Sequence, residues 1–277
     1  MKYVEALRSE NSRAVTALTW SLARVVFVNA ATVALLFCPP SLSWVFLSVG
    51  LVLQLAGFSL RIKSEQHARR AQRLRHCSLM QNGLEFTPSP TQLALLSIHV
   101  GKVTRAERAI YYTSNEPPSE RRLLSNVAES AFFSLNTAER IAGYLTWSAI
   151  LSAVVMFFVV VIFVFGVDSS PQVKLATQVS LLIFSFLGTG EFAILAFRFR
   201  QGTNEGRDIL AECDRIQGAG PTSVLDAMSV LCQYEIMMAN CPPLPSWIYD
   251  RQREQLDDAW LNRSTEKVSV ESSPHLG

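Results

Sequence analysis

The sequence predicts an all-α integral membrane protein with four transmembrane helices, arranged as two hairpins, and a helical cytoplasmic domain. Three observations carry this expectation. Of 277 residues, 49% are hydrophobic and only 17% charged, against roughly 25% charged in an ordinary soluble domain. The apolar residues are concentrated in four runs of membrane-spanning length. Lysine and arginine collect at one end of those runs and leave the other nearly bare.

The runs lie at about 17–37, 42–60, 145–167 and 175–197, each near the ~20 residues that a helix needs to cross hydrocarbon. The first two are joined by "CPPS", where prolines without backbone donors end a helix and force a tight antiparallel return. The second pair is joined by "GVDSSPQVK". Lys2, Arg8 and Arg13 precede the first run; Arg61, Lys63, Arg69, Arg70, Arg73 and Arg75 follow the second; Arg198 and Arg200 follow the fourth. The two turns offer only Lys174, so both termini and the whole middle region are expected in the cytoplasm. "MKYVEALRSENSR" lacks the short apolar core and cleavage site of a removed signal peptide, so the first span is expected to stay.

The expected organisation is an N-terminal segment and first hairpin over 1–60, a cytoplasmic helical region over 61–144, and a second hairpin over 145–197. Cytoplasmic helices over 198–263 pack with 61–144, and 264–277 is a disordered tail. The middle region continues helically out of the second span and closes at Gly83, a residue that tolerates a left-handed cap. In "ERRLLSNVAESAFFSLNTAERI", Leu124, Val127, Ala128, Ala131 and Leu135 recur at three and four residues and mark a buried stripe running toward the third span. In "PTSVLDAMSVLCQYEIMMAN" the buried face is expected at Leu225, Met228, Cys232 and Ile236. A last helix begins at Ser246 as N-cap, and from Ser264 the chain lacks bulky apolar residues.

Charge and motifs limit the function. A net charge of +2 gives no global basic field for a DNA or RNA polymer. Cys38, Cys77, Cys213, Cys232 and Cys241 are odd in number and show no C-x-x-C spacing, so neither a disulfide framework nor a zinc site is expected. His67, His76, His99 and His275 match no metal-ligand pattern. There is no P-loop, no G-x-S-x-G elbow and no dinucleotide fingerprint. Neither an enzyme nor a bound metal or cofactor is expected.

Polar residues inside the runs are the better lead. On a rise of ~1.5 Å per residue, Arg24 lies about 10 Å from the cytoplasmic end of its span, Gln54 and Glu191 about 9 Å, and Ser152 at a similar depth. Ions in hydrocarbon pair, face water or snorkel, so Arg24 and Glu191 either pair within a polar layer with Gln54 and Ser152 or reach separately for headgroups. Asn29, about 18 Å deep, has no such companions and reads as an interhelical hydrogen-bonding group. Two cytoplasmic clusters have the chemistry for an anionic ligand, because aromatic rings stack bases and arginines clamp phosphates. They are Tyr111, Tyr112, Arg121 and Arg122, and Trp247, Tyr249, Arg251 and Arg253. Their alternative is amphipathic packing with solvated arginines.

The two hairpins, the double tyrosine with "ESAFF", and the closing "PPLPSWIYDRQREQLDDAW" resemble the four-span membrane effectors of bacterial CBASS antiviral systems, the SMODS-associated family. Of that family's Gln-Asp pair and arginine before the prolines, this chain has only Gln233. The resemblance implies a latent protein of the bacterial inner membrane whose cytoplasmic domain binds a cyclic di- or trinucleotide second messenger. Binding would drive homo-oligomerisation and pore formation or membrane disruption, ending in abortive infection. The alternatives are a constitutive ion channel or small-solute transporter, and a membrane-anchored scaffold.

Overall fold

Four unbroken helices, each longer than a bilayer's hydrocarbon core is thick, organise the chain. The computed structural model describes residues 2–34, 43–89, 112–114, 116–166 and 171–271. Among the described residues there are six helices and no strand: α1 (Lys2–Ala34), α2 (Ser43–Leu84), α3 (Glu120–Gly166), α4 (Pro171–Gly218), α5 (Val224–Asn240) and α6 (Ser246–Glu271). The "CPPS" turn, residues 167–170 of the second turn, and residues 90–111 fall outside the described residues. At ~1.5 Å per residue, the 47 residues of α3 and the 48 of α4 reach about 70 Å, more than twice a hydrocarbon core of about 30 Å.

The helices pair as two hairpins, α1 with α2 and α3 with α4, which pack along their lengths. Two helices contain segments long and apolar enough to cross a membrane, Ala6–Ala31 in α1 and Glu120–Phe158 in α3. One half of the molecule wears apolar side chains outward. Val26 and Phe27 on α1, Val52, Leu55 and Phe58 on α2, Leu151 and Phe157 on α3, and Ile194 and Phe197 on α4 are all exposed. Scattered exposed apolar residues are ordinary, whereas a belt around several helices marks a surface that meets something other than water.

The core has two sections. At the polar end, Leu79 and Met80 of α2, Leu123 to Leu135 of α3, Ile209 to Ile216 of α4 and most of α5 form one cluster. Nearer the apolar end, Leu18 and Val25 of α1 join Ala138 to Leu145 of α3 and Phe192 to Phe199 of α4, closed by Cys241 and Ile248. The predicted α3 stripe of Leu124, Val127, Ala128, Ala131 and Leu135 is buried throughout.

Three local expectations are corrected. On α5 the buried face is Ala227, Val230, Leu231, Tyr234, Met237 and Met238, while Leu225 and Ile236 are exposed. Two stripes recur at helical spacing, but Asp226, Ser229 and Gln233 lie exposed beside the predicted one, and the stripe carrying Tyr234 is buried, its hydroxyl meeting Ser134 at 3.3 Å and Arg75 at 3.5 Å. Gly83 is not the left-handed cap; that conformation falls to Glu85, at φ 54°. Gly83 is instead a close-approach residue, since a Cβ there would lie 2.8 Å from the Leu123 Cα. Finally, α6 continues through Glu271 instead of losing order at Ser264, and the Thr265 hydroxyl donates to the Leu261 carbonyl within it. Residues 272–277 of the expected tail lie outside the described residues.

Candidate functional site

Two polar features interrupt the apolar packing. The first is centred on Arg24, which is 8% exposed. Its Nη2 donates to Glu191 Oε2 at 2.5 Å, its Nη1 donates to Gln54 Oε1 at 2.5 Å and to the Gln54 carbonyl at 3.1 Å, and its Nε donates to the Ser21 carbonyl at 3.3 Å. Arg61 completes the set, donating from Nη1 to Glu191 Oε1 at 3.3 Å. One carboxylate thus bridges two guanidiniums from two helices, and the geometry is that of a pair, not of an arginine reaching for headgroups.

Gln54, Gly57 and Arg61 are spaced three and four residues apart, so they line one face of α2. Gly57 is required there. A Cβ at that position would sit 2.2 Å from Arg24 Cζ, so the guanidinium crosses α2 through the space a side chain would fill. Ser152 does not belong to this layer. Its hydroxyl accepts from Asn29 Nδ2 at 3.1 Å, a separate α1–α3 bond further along the bundle. The bond to Asn29 sets Ser152 about five residues beyond Arg24 along α1, roughly 8 Å at ~1.5 Å per residue, so the two are not at one depth.

The second feature is a cavity of about 560 Å³ at the polar end, within the roughly 300–1,000 Å³ of small-molecule sites. From α1 it takes Leu7, Arg8, Asn11 and Ser12, and from α2 it takes Arg75. Glu129, Ser130, Phe133, Ser134 and Thr137 of α3 form its wall, Tyr234 comes from α5, and Leu244 to Ser246, Tyr249, Asp250 and Arg253 close it. Tyr112 lies against it from the segment before α3. Asn11 Nδ2 donates to the Leu244 carbonyl at 3.0 Å, tying α1 to the segment before α6, and the Phe133 and Tyr249 rings meet edge to face at 5.6 Å.

The two clusters proposed from sequence converge here only in part. Tyr112, Tyr249 and Arg253 line the cavity. Arg122 turns away, donating from Nε to Asn82 Oδ1 at 3.2 Å and from Nη1 to the Glu116 carbonyl at 2.7 Å, and Arg121 lies on the surface 3.5 Å from Glu116. Trp247 and Arg251 are exposed and face elsewhere. Tyr111 lies outside the described residues. Adjacency in sequence misleads for Arg121 and Arg122 because they start α3 and brace its N-terminal turn. Arg8, Asn11 and Arg75 were missed as cavity residues. The i, i+3, i+4 spacing of Arg8, Asn11 and Ser12 was the available signal, on a segment whose helix was not anticipated.

Electrostatically the cavity is mixed. Arg8, Arg75 and Arg253 face Glu129 and Asp250 across it. Burial pushes the Glu129 carboxyl above its ordinary value, against two opposing bonds from Thr113, whose amide donates at 3.0 Å and hydroxyl at 2.8 Å. A carboxyl held toward its neutral form repels an anion less and still offers hydrogen bonds. Guanidiniums beside tyrosine and phenylalanine rings match ligands that combine phosphate with a flat base.

Among the described residues, no group of histidine, cysteine, aspartate or glutamate could hold a metal ion. Compared with models of known families, with curated proteins and with solved structures, the chain matches none.

Proposed function

We propose that this chain is a four-span protein of the bacterial inner membrane, with both termini cytoplasmic, that binds a cyclic di- or trinucleotide in the cavity and transmits its binding to the spans. In this reading it acts as the four-span CBASS effectors that it resembles do: it assembles into homo-oligomers and breaches the membrane during phage infection. The single observation that carries the reading is shared scaffolding. α1, α2 and α3 line the cavity, and the same three helices continue without a break into the segments with outward apolar faces.

Arg8 at the cavity and Arg24 in the buried cluster are sixteen residues apart on one helix, about 24 Å at ~1.5 Å per residue. A ligand that draws Arg8 and Arg75 toward its phosphates pulls on α1 and α2 together. It shifts the population only if it binds the assembled state more tightly than the resting one. In the resting state the Arg24, Gln54, Glu191 and Arg61 set holds α1, α2 and α4 in register. The full pairing of Arg24 also favours a gated protein over a constitutively open channel, in which a polar layer would face water.

Titration calorimetry on the detergent-purified chain with a panel of cyclic di- and trinucleotides tests the reading. One member is expected to bind and to lose affinity at least tenfold in Arg75→Ala, since a charge-assisted hydrogen bond contributes roughly 1.5–3 kcal/mol. No binding by any member would refute it.

A further inference from the structure

A second cleft lies where the helices leave the apolar belt. It is about 110 Å³, well below the roughly 300–1,000 Å³ of a site for a whole small molecule, and it fits a single phosphate group. Three arginines line it, Arg61 and Arg69 from α2 and Arg198 from α4, against one carboxylate, Glu65. Its floor is apolar, with Leu18, Leu195 and the prolines after α5.

The three guanidiniums differ in how they are held. Arg61 is anchored to Glu191 at 3.3 Å, and Arg198 donates from Nε to the Asn240 carbonyl at 3.1 Å, which fixes its position through one nitrogen. Arg69 is exposed and has no hydrogen-bond or ion-pair partner among the described residues. With Arg61 paired to Glu191, Arg69 and Arg198 stand against Glu65 alone among the residues lining the cleft, which leaves it net positive. Immediately beyond them, Phe58 and Ile62 on α2 and Ile194 and Phe197 on α4 are exposed apolar residues. Basic pockets between spans on the cytoplasmic side are where acidic headgroups are held.

We infer that this cleft is a phosphate-binding site at the cytoplasmic edge of the membrane, placed to take the headgroup of an anionic phospholipid or a free phosphate of the same chemistry. The inference rests on the four-span reading for its lipid source, but not on the nucleotide cavity. A phosphate there ties α2 to α4 and to the start of the α5–α6 connection, beside the Arg61–Glu191 contact, so an acidic lipid favours the paired arrangement of the bundle.

Native mass spectrometry of the full chain in detergent tests it, with phosphatidylglycerol, phosphatidylcholine or inorganic phosphate added. Retention of phosphatidylglycerol over phosphatidylcholine is expected, falling about fivefold in Arg69→Gln and about 25-fold in Arg69→Gln/Arg198→Gln, at roughly one arginine's contribution each. Arg69→Gln removes no hydrogen bond or ion pair among the described residues, and the thermal unfolding midpoint of the variant, expected unchanged, checks that it folds. Binding of inorganic phosphate alone, lost in the same variants, supports the site and assigns it to free phosphate. Retention of phosphatidylglycerol undiminished in both variants, or binding of neither ligand, overturns it. Flotation with pure phosphatidylcholine vesicles separates the premises: failure to float rejects the membrane reading, and the phosphate measurement still decides the cleft.

Discussion

Arg24 is buried, charged and held by three other residues, and such an ion is tolerated only because every partner is in place. Removing one partner of a buried pair costs about 3–5 kcal/mol. Glu191→Ala is therefore expected to lower stability by about 3 kcal/mol, read as a fall in the thermal unfolding midpoint in detergent; an unchanged midpoint would contradict the pairing. Gly57→Ala is expected to act in the same direction without removing any charged group, because its Cβ would come within 2.2 Å of Arg24 Cζ. The cysteines give an independent check on packing. Burial pushes the Cys241 thiol up to about 12, and Cys213 is also buried, whereas Cys232 is exposed. Maleimide labelling of the folded chain should modify Cys232 and leave Cys213 and Cys241 intact. At this scale the sequence was informative about which ions need partners, since Arg24 and Glu191 stand out within apolar runs. It did not reveal Gly57 or Arg61, whose roles depend on which face of α2 meets α1 and α4.

Between elements, the α2–α5 contact carries a pH-dependent bond. His76 Nδ1 is hydrogen-bonded to Glu235, and that bond, opposed by burial and helped by the carboxylate's charge, raises the histidine above its ordinary 6.5. A raised histidine means the folded state binds the proton more tightly than the unfolded one. The stabilisation is present in full below 6.5 and is lost as pH rises through the folded value. Denaturation between about pH 6 and pH 9 should show stability falling across that window, and His76→Gln should flatten the fall; an equal slope in the variant would assign the effect elsewhere. The α2–α3 contact is packed to the backbone at Gly83, so Gly83→Ala should cost about 1–3 kcal/mol through overpacking. Helix existence was legible at this scale because apolar runs and the α3 stripe have a clear period. The phase of α5 was not, since Leu225, Met228, Cys232 and Ile236 also recur at three and four residues, and only the polar Asp226, Ser229 and Gln233 beside them mark that stripe as the outer one. The extension of α4 to Gly218 was likewise not anticipated, and neither was the helical start of α1, where charged and apolar residues alternate without a stripe.

For the whole molecule, continuity matters more than any single contact. Three helices run from the cavity to the apolar belt with no linker to absorb a movement, so a rearrangement at one end is conveyed as a rigid shift to the other. The hairpin plan follows from composition and the distribution of basic residues. The cavity does not, because it is built from residues as distant as Arg8, Glu129 and Tyr249, and no local spacing brings those together. Whether filling the cavity opens the membrane, as proposed, is decided by dye release from liposomes carrying the full chain. Little release is expected at rest, release when the cyclic nucleotide that binds is added, and loss of that release in Arg8→Ala and Arg75→Ala. Equal release with and without nucleotide, or nucleotide binding without release, would contradict the proposal.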